Sequence, residues 1–212
     1  MTASLIAREV RRGLHGGAWL PVAFFLLVAT IVPFAIGPDA RLLARVGGGA
    51  LWIAALTAAM LPVERLIEPD RADGVLDQLA LGGTTEEAVG AAKMVGHWLT
   101  FGPLLLIAAV PASFLVGLDG PALMHSLVSL AIGTPALAAL SVAVAALTAG
   151  LPRAGALAGL LMMPLAVPLV IFGAAATGDG ESAALKLEAA VALLLVAGSP
   201  FVAGAAIRAS RT

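Results

Sequence analysis

The chain has 212 residues, 60% of them hydrophobic and 12% charged, with a formal net charge of −1 and no cysteine. Soluble domains carry about 25% charged residues, so this is the composition of an integral membrane protein, and a water-soluble enzyme is excluded. Without cysteine, neither a disulfide framework nor a thiolate metal site can form.

Charged residues divide the sequence into six uncharged windows, 13–38, 46–63, 94–118, 120–152, 154–178 and 189–207, each of at least 18 residues. A bilayer core takes about 20 apolar residues as helix, and a helix satisfies its own backbone hydrogen bonds in lipid. The windows predict an all-α integral membrane protein, one transmembrane domain over 1–212, with spans at about 16–37, 46–63, 94–117, 122–150, 154–177 and 187–207. Abundant Gly and Ala let such helices approach closely.

Residues 1–15 are basic and can form an amphipathic helix, with Leu5, Ile6, Val10 and Leu14 spaced for one face. A plain positive anchor before a span is an equally good reading. A cleaved signal peptide is rejected, because the apolar run is too long and further spans follow. Pro33 and Pro38 break the first span, so the chain leaves the membrane there. Residues 39–45 form a short turn on the far side, followed by the second span. Trp19, Trp52 and Trp98 fall near predicted span ends and fit an interfacial aromatic belt.

Residues 63–93 are the only long polar stretch and hold ten of the 25 charged residues. Val63, Leu66 and Ile67 share a helical face opposite Glu64, Arg65 and Glu68, until Pro69 and Gly74 interrupt it. Asp73 is placed to cap a second short helix with its carboxylate. Val75, Leu76, Leu79 and Ala80 recur at helical spacing. Thr84-Thr85-Glu86-Glu87 contains a Thr-x-x-Glu capping box, so a helix starts near Thr85 and runs through Lys93 into the third span. The stretch reads as a broken amphipathic helix on one membrane surface. Its seven carboxylates face only Arg65, Arg71 and Lys93. Lipid-surface helices are usually basic, so its partner is expected to be a protein.

The later connections are short, at 117–121 and 150–153, with an acidic one at 177–188 carrying Asp179, Glu181 and Glu188. Pro111, Pro135, Pro164, Pro168 and Pro200 sit inside spans and mark movable helices. With the N-terminus inside, the cytoplasmic side collects Arg8, Arg11, Arg12, Arg65, Arg71, Lys93, Arg153, Arg208 and Arg211, against Arg41, Arg45 and Lys186 outside. By the positive-inside rule both termini and the polar stretch are cytoplasmic.

No catalytic constellation, metal site or nucleic-acid-binding feature is visible. His15, His97 and His125 are isolated from one another, and His97 and His125 read as interfacial. There is no phosphate-binding Gly-x-x-x-x-Gly-Lys-Ser/Thr loop. No charge is expected at mid-membrane depth, which counts against an ion-coupled carrier working alone. What remains is a membrane subunit whose energy comes from another polypeptide.

The segment Glu64-Arg65-Leu66-Ile67-x-x-Asp70-x-x-Asp73-Gly74-x-Leu76-x-x-Leu79 resembles the signature of the haem exporter protein B (CcmB-type) family. Pro33-Phe34-Ala35-x-Gly37-Pro38, Lys93-x-x-x-His97-Trp98, Gly133-Thr134-Pro135, Pro168-Leu169-x-Ile171-Phe172 and Ser199-Pro200-Phe201 extend the likeness along nearly the whole chain. One departure is Ile67-Glu68-Pro69, where the family often has Phe followed by more polar residues. The resemblance implies a type 2 ABC exporter-like permease of the bacterial inner membrane, in a system for c-type cytochrome maturation. It further implies a separate cytoplasmic ABC ATPase that holds the ATP, haem-handling membrane subunits, and two copies per complex. Haem would be the handled ligand, with no cofactor bound by this chain itself. The work done would be haem delivery or release of a haem-loaded periplasmic chaperone. Glu64, Arg65, Leu66, Asp70, Asp73, Gly74, Leu76 and Leu79 would form the element that couples to the ATPase. The alternative is a permease of the same architecture for a lipid, drug or other hydrophobic substrate.

Overall fold

The computed structural model describes residues 2–15, 17, 19–178 and 182–210. Asp179 and Glu181 of the acidic connection and Arg211 of the charge count lie outside them. The described residues are helical and contain no strand: α1 (Thr2–His15), α2 (Trp19–Ile36), α3 (Ala40–Met60), a 3-10 turn (Val63–Arg65), α4 (Glu68–Ala72), α5 (Val75–Leu81), α6 (Glu86–Leu115), α7 (Gly120–Thr148), α8 (Ala154–Ala176) and α9 (Ser182–Ala209). Six of them, α2, α3 with its continuation, α6, α7, α8 and α9, are long and apolar enough to cross a membrane. The chain is therefore a multi-pass membrane protein.

Helix α7 is the centre of the bundle and packs against α9, α6, α8 and α3. Its buried side, from Ser126 to Thr148, is mostly Ala, Ser, Gly and Thr, with Leu130, Leu137, Leu140, Val142 and Val144 among them, and the small residues allow the close helix approach expected in lipid. Helix α2 fully buries only Pro21, Phe25 and Ala29, at four-residue spacing, with Val22, Leu26, Val28 and Val32 half-buried against the core. It ends at Gly37 (φ +83), whose N–H donates to the Pro33 carbonyl (2.9 Å). Pro33 is thus absorbed in the last turn, and the glycine makes the exit.

Trp52 is fully buried in the middle of α3. Its indole lies over Gly133 of α7 and Gly173 of α8, where any Cβ would overlap the ring. The indole N–H donates to the Ser129 hydroxyl (2.9 Å), which donates in turn to the Gly173 carbonyl (3.0 Å). Trp98 lies within α6 and donates to the Thr134 hydroxyl (3.2 Å). The interfacial belt expected of three tryptophans is corrected: Trp19 alone, 68% exposed at the start of α2, fits it. The indole N–H groups of the other two find hydroxyl partners inside the bundle, so Trp52 can be fully buried and Trp98 half-buried against the core.

Two connections also differ from expectation. Helix α3 begins at Ala40, with the Asp39 carboxylate accepting from the Leu42 N–H, so Arg41 and Arg45 are helical and not in a turn. Helix α9 includes Glu188, fully buried, with neither carboxylate oxygen hydrogen-bonded. Glu188 therefore stands six residues inside α9, which corrects its placement in the 177–188 connection.

Candidate functional site: the polar segment between two spans

The segment between α3 and α6 is broken because its sequence allows no helix longer than two turns. Pro69 stands in the first turn of α4, where its missing N–H costs nothing. Gly74 ends α4 in the left-handed region (φ +69) and starts α5, with no side-chain cap. Asp73 is the C-cap of α4 and does not cap α5, which corrects the expected role. The turn needs a positive φ, and Gly74 supplies it without the strain of a Cβ.

Helix α6 begins at the expected place with a different cap. The Thr85 hydroxyl accepts from the Ala88 N–H (3.3 Å), while the buried Thr84 hydroxyl has no partner. The third helical residue is therefore Ala88, so no reciprocal Glu contact completes a capping box. Glu86 and Glu87 instead take Arg208, near the end of α9, at 3.3 and 2.5 Å.

Asp70 is the anchor of the segment. It is buried and receives Arg8 (2.8 Å) and Arg12 (2.5 Å) from α1 and Lys93 from α6. Glu9 joins the cluster, accepting from Arg8 (2.7 Å) and Lys93 (3.3 Å). Arg8 and Arg12 lie one turn apart on α1 and so present two cations to one carboxylate. Burial alone would lower the Arg8 pKa; the Glu9 and Asp70 carboxylates outweigh it and raise it above the ordinary arginine value. Helix α1 can lie this close because α6 offers Gly96 beneath Glu9, where a Cβ would stand 2.5 Å from the glutamate Cβ. The amphipathic-helix reading of 1–15 thus corresponds to a helix docked on α6.

A second tie runs to the α7–α8 turn. Glu68 accepts from Arg71 (2.7 and 3.0 Å) and from the Gly150 N–H (2.7 Å). The segment is held to α1 and α6 by one carboxylate and to the α7–α8 turn by another.

The residues singled out by sequence separate into two groups. Asp70 and Leu76 are buried, as are Val63 and Ile67 beside them, while Leu66 and Leu79 are half-buried against the core. Glu64, Arg65 and Asp73 are exposed and lie on the outer surface with Asp77, Gln78 and Leu81, the last 88% exposed. Sequence reasoning did not identify Glu9, nor Arg8, Arg12 and Lys93 as partners of Asp70; it used those cations only for orientation. The signal was available in Arg8 and Arg12 at helical spacing with Glu9 between them. His97, expected at an interface, is buried in α6 against Phe101 (ring centroids 4.7 Å apart), and its Nε2 has no hydrogen-bond partner. Among the described residues, no three His, Cys, Asp or Glu side chains are grouped to hold a metal ion.

A family model described as CcmB protein matches residues 1–210. The chain is 42% identical over 212 residues to the Heme exporter protein B of Rhodobacter capsulatus, with 97% of each chain covered. It is 41% identical over 212 residues to the Heme exporter protein B of Paracoccus denitrificans, again with 97% of each covered. Against the Heme exporter protein B of Escherichia coli K12 the identity is 41% over 196 residues, covering 90% of this chain and 89% of the relative.

Proposed function

The chain belongs to the CcmB family, and we propose that it is a non-catalytic membrane permease subunit of a haem-export complex for c-type cytochrome maturation. The observation that carries this is similarity along the whole chain to proteins named Heme exporter protein B. None of these relatives points to a lipid or drug cargo.

In this reading the chain lies in the bacterial inner membrane with both termini and the polar segment in the cytoplasm, where the clustering of Lys and Arg favours them. A separate ABC ATPase docks on the exposed face of the segment, around Glu64, Arg65 and Asp73. An acidic surface is poorly suited to an anionic leaflet, which supports a protein as the occupant. Nucleotide-driven movement of that face passes to α1 and α6 through Asp70, and to the α7–α8 turn through Glu68. Asp70, Leu76 and Leu79 hold the element in place, while Glu64, Arg65 and Asp73 make the contact. Haem is the handled substrate, and further membrane subunits take part. His97 is buried and His125 exposed on another helix, so no pair of imidazoles brackets an iron. That arrangement favours release of a haem-loaded periplasmic chaperone over axial ligation of haem within these spans.

The test is affinity purification of the tagged protein with Glu64→Arg and Asp73→Lys variants. The unaltered protein is expected to bring down an ATPase and haem-handling subunits. Each variant is expected to lose the ATPase and cytochrome maturation while keeping its melting temperature. Normal co-purification and normal cytochromes in both variants would refute the docking face.

A further inference from the structure

The α7–α8 turn is gripped at both of its ends by the polar segment. At one end Glu68 accepts from the Gly150 N–H (2.7 Å). The Arg71 guanidinium, paired with Glu68, lies over the same glycine, where a Cβ would stand 3.2 Å from its Cζ. At the other end the Glu64 side chain rests on Gly155, in the first turn of α8, where any Cβ would overlap the Glu64 carboxylate. The 3-10 turn that carries Glu64 packs against both α7 and α8. Docking of an ATPase accounts for the exposure of Glu64, but not for its seat on a membrane helix.

Between the two grips the backbone is strained. Among the described residues, Arg153 alone has a positive φ (+59) without being glycine, and it stands where α8 begins. The residue before a helix is ordinarily extended, and its side chain caps the first N–H groups. Arg153 is left-handed, makes no side-chain cap, and is followed by no acidic residue in the first turn. A left-handed backbone at a residue with a Cβ persists only where its surroundings hold it. The surroundings here are Glu68 and Arg71 on Gly150, and Glu64 on Gly155. The Glu64 carboxylate also brings negative charge to a helix start that has none of its own, where such charge is stabilising.

We propose that these contacts form a latch: the polar segment holds the α7–α8 turn in a strained shape, with Glu64 and Glu68 as its positioning residues. While Glu64 is seated on Gly155, the start of α8 is fixed to the segment. When the segment moves, the seat empties, Arg153 leaves the left-handed region, and the start of α8 shifts against α7. Glu64 is exposed as well as seated, so a partner that engages it pulls on α8 directly, without passing through α1 and α6. The use of the latch in transport rests on the ATPase-docking reading above. Its existence in the isolated chain does not.

The experiment is hydrogen exchange at the amides of Leu157 and Ala158 in the full chain in detergent, read through a double-substitution cycle. Glu64→Gln keeps the shape of the side chain and removes its charge. It is expected to speed exchange about two- to five-fold, the effect of one exposed charge at a helix start. Gly155→Ala drives Glu64 from its seat, and in that background Glu64→Gln is expected to change nothing further. Gly49→Ala, a methyl added away from the turn, is expected to leave these amides unaltered. An equal effect of Glu64→Gln in both backgrounds, or no effect in the unaltered one, would overturn the latch. Glu64→Gln changes one exposed side chain, so its own effect decides the matter even where Gly155→Ala fails to fold. The second readout is cytochrome maturation by Gly155→Ala, which keeps Glu64, Arg65 and Asp73 for docking. Its co-purification with the ATPase is expected to be normal and its maturation largely lost; normal maturation would show the seat to be idle and overturn the proposal. The two readings fail separately: an unaltered chain that brings down no ATPase refutes the docking face, while exchange in the isolated chain decides the latch.

Discussion

Asp70 and Lys93 form an ion pair inside the protein, each side chain only 2% exposed, and the pair joins a five-residue helix to a membrane span. The two residues are not equivalent. Asp70 also holds Arg8 and Arg12, whereas Lys93 has Glu9 as its other partner. Asp70→Asn leaves three cations facing one glutamate; Lys93→Met leaves Asp70 with two arginines. Removing one partner of a buried pair costs about 3–5 kcal/mol. Asp70→Asn is expected near that range and Lys93→Met well below it. Thermal unfolding of the purified protein in detergent measures both, and equal losses would contradict the asymmetry.

The start of α6 discriminates between two threonines. Thr85 caps the helix and Thr84 has no partner. Thr85→Ala is expected to cost about 1 kcal/mol, the usual value of an N-cap. Thr84→Ala removes a buried, unsatisfied hydroxyl and is expected to be neutral or slightly stabilising. Hydrogen exchange at the amides of Ala88 and Val89 reads the difference directly. A reversed order would restore the capping box expected from sequence.

The Trp52 site predicts the cost of one added methyl group. Gly133 and Gly173 each lie where a Cβ would overlap the indole. Gly133→Ala and Gly173→Ala are expected to destabilise by about 1–3 kcal/mol through overpacking, and to shift the emission of the buried tryptophan. Gly49, whose added Cβ would meet only Ala174 at 3.9 Å, serves as the control: Gly49→Ala is expected to be silent in both measurements.

What the sequence made legible follows from what is local. Uninterrupted apolar windows define membrane helices without reference to neighbours, and proline, glycine and a capping threonine define where the polar segment breaks. Interactions between distant parts of the chain were not legible. Trp52 read as interfacial because its neighbours in sequence are apolar and span-like, while Ser129, Gly133 and Gly173, which accommodate it, lie more than 70 residues away. Asp70 read as one of seven surface carboxylates, since nothing local reveals that Arg8 and Lys93 arrive from two other helices. Asp73 read as a cap because its side chain suits one, but the adjacent Gly74 takes the position with its backbone. Glu188 read as part of a loop because charge was used to mark the ends of spans, a rule that fails wherever a span contains a charge.

Glu188 supplies the last prediction. Its carboxyl group is wholly buried in α9 with neither oxygen in a geometrically complete hydrogen bond, facing the Ser129 hydroxyl, which already donates to the Gly173 carbonyl. Replacing such a group by an apolar one of similar shape removes a desolvation cost and leaves no new orphan of its own. Glu188→Leu is therefore expected to be at least as stable as the unaltered protein, with an equal or higher melting temperature in detergent. Ionisable residues are expensive within membrane spans and are usually functional. If Glu188 is retained for activity, cytochrome maturation falls in this stable variant, and Glu188→Gln, which keeps the polar shape, restores part of it. A lowered melting temperature in Glu188→Leu would mean instead that the carboxyl group stabilises the fold through partners of its own.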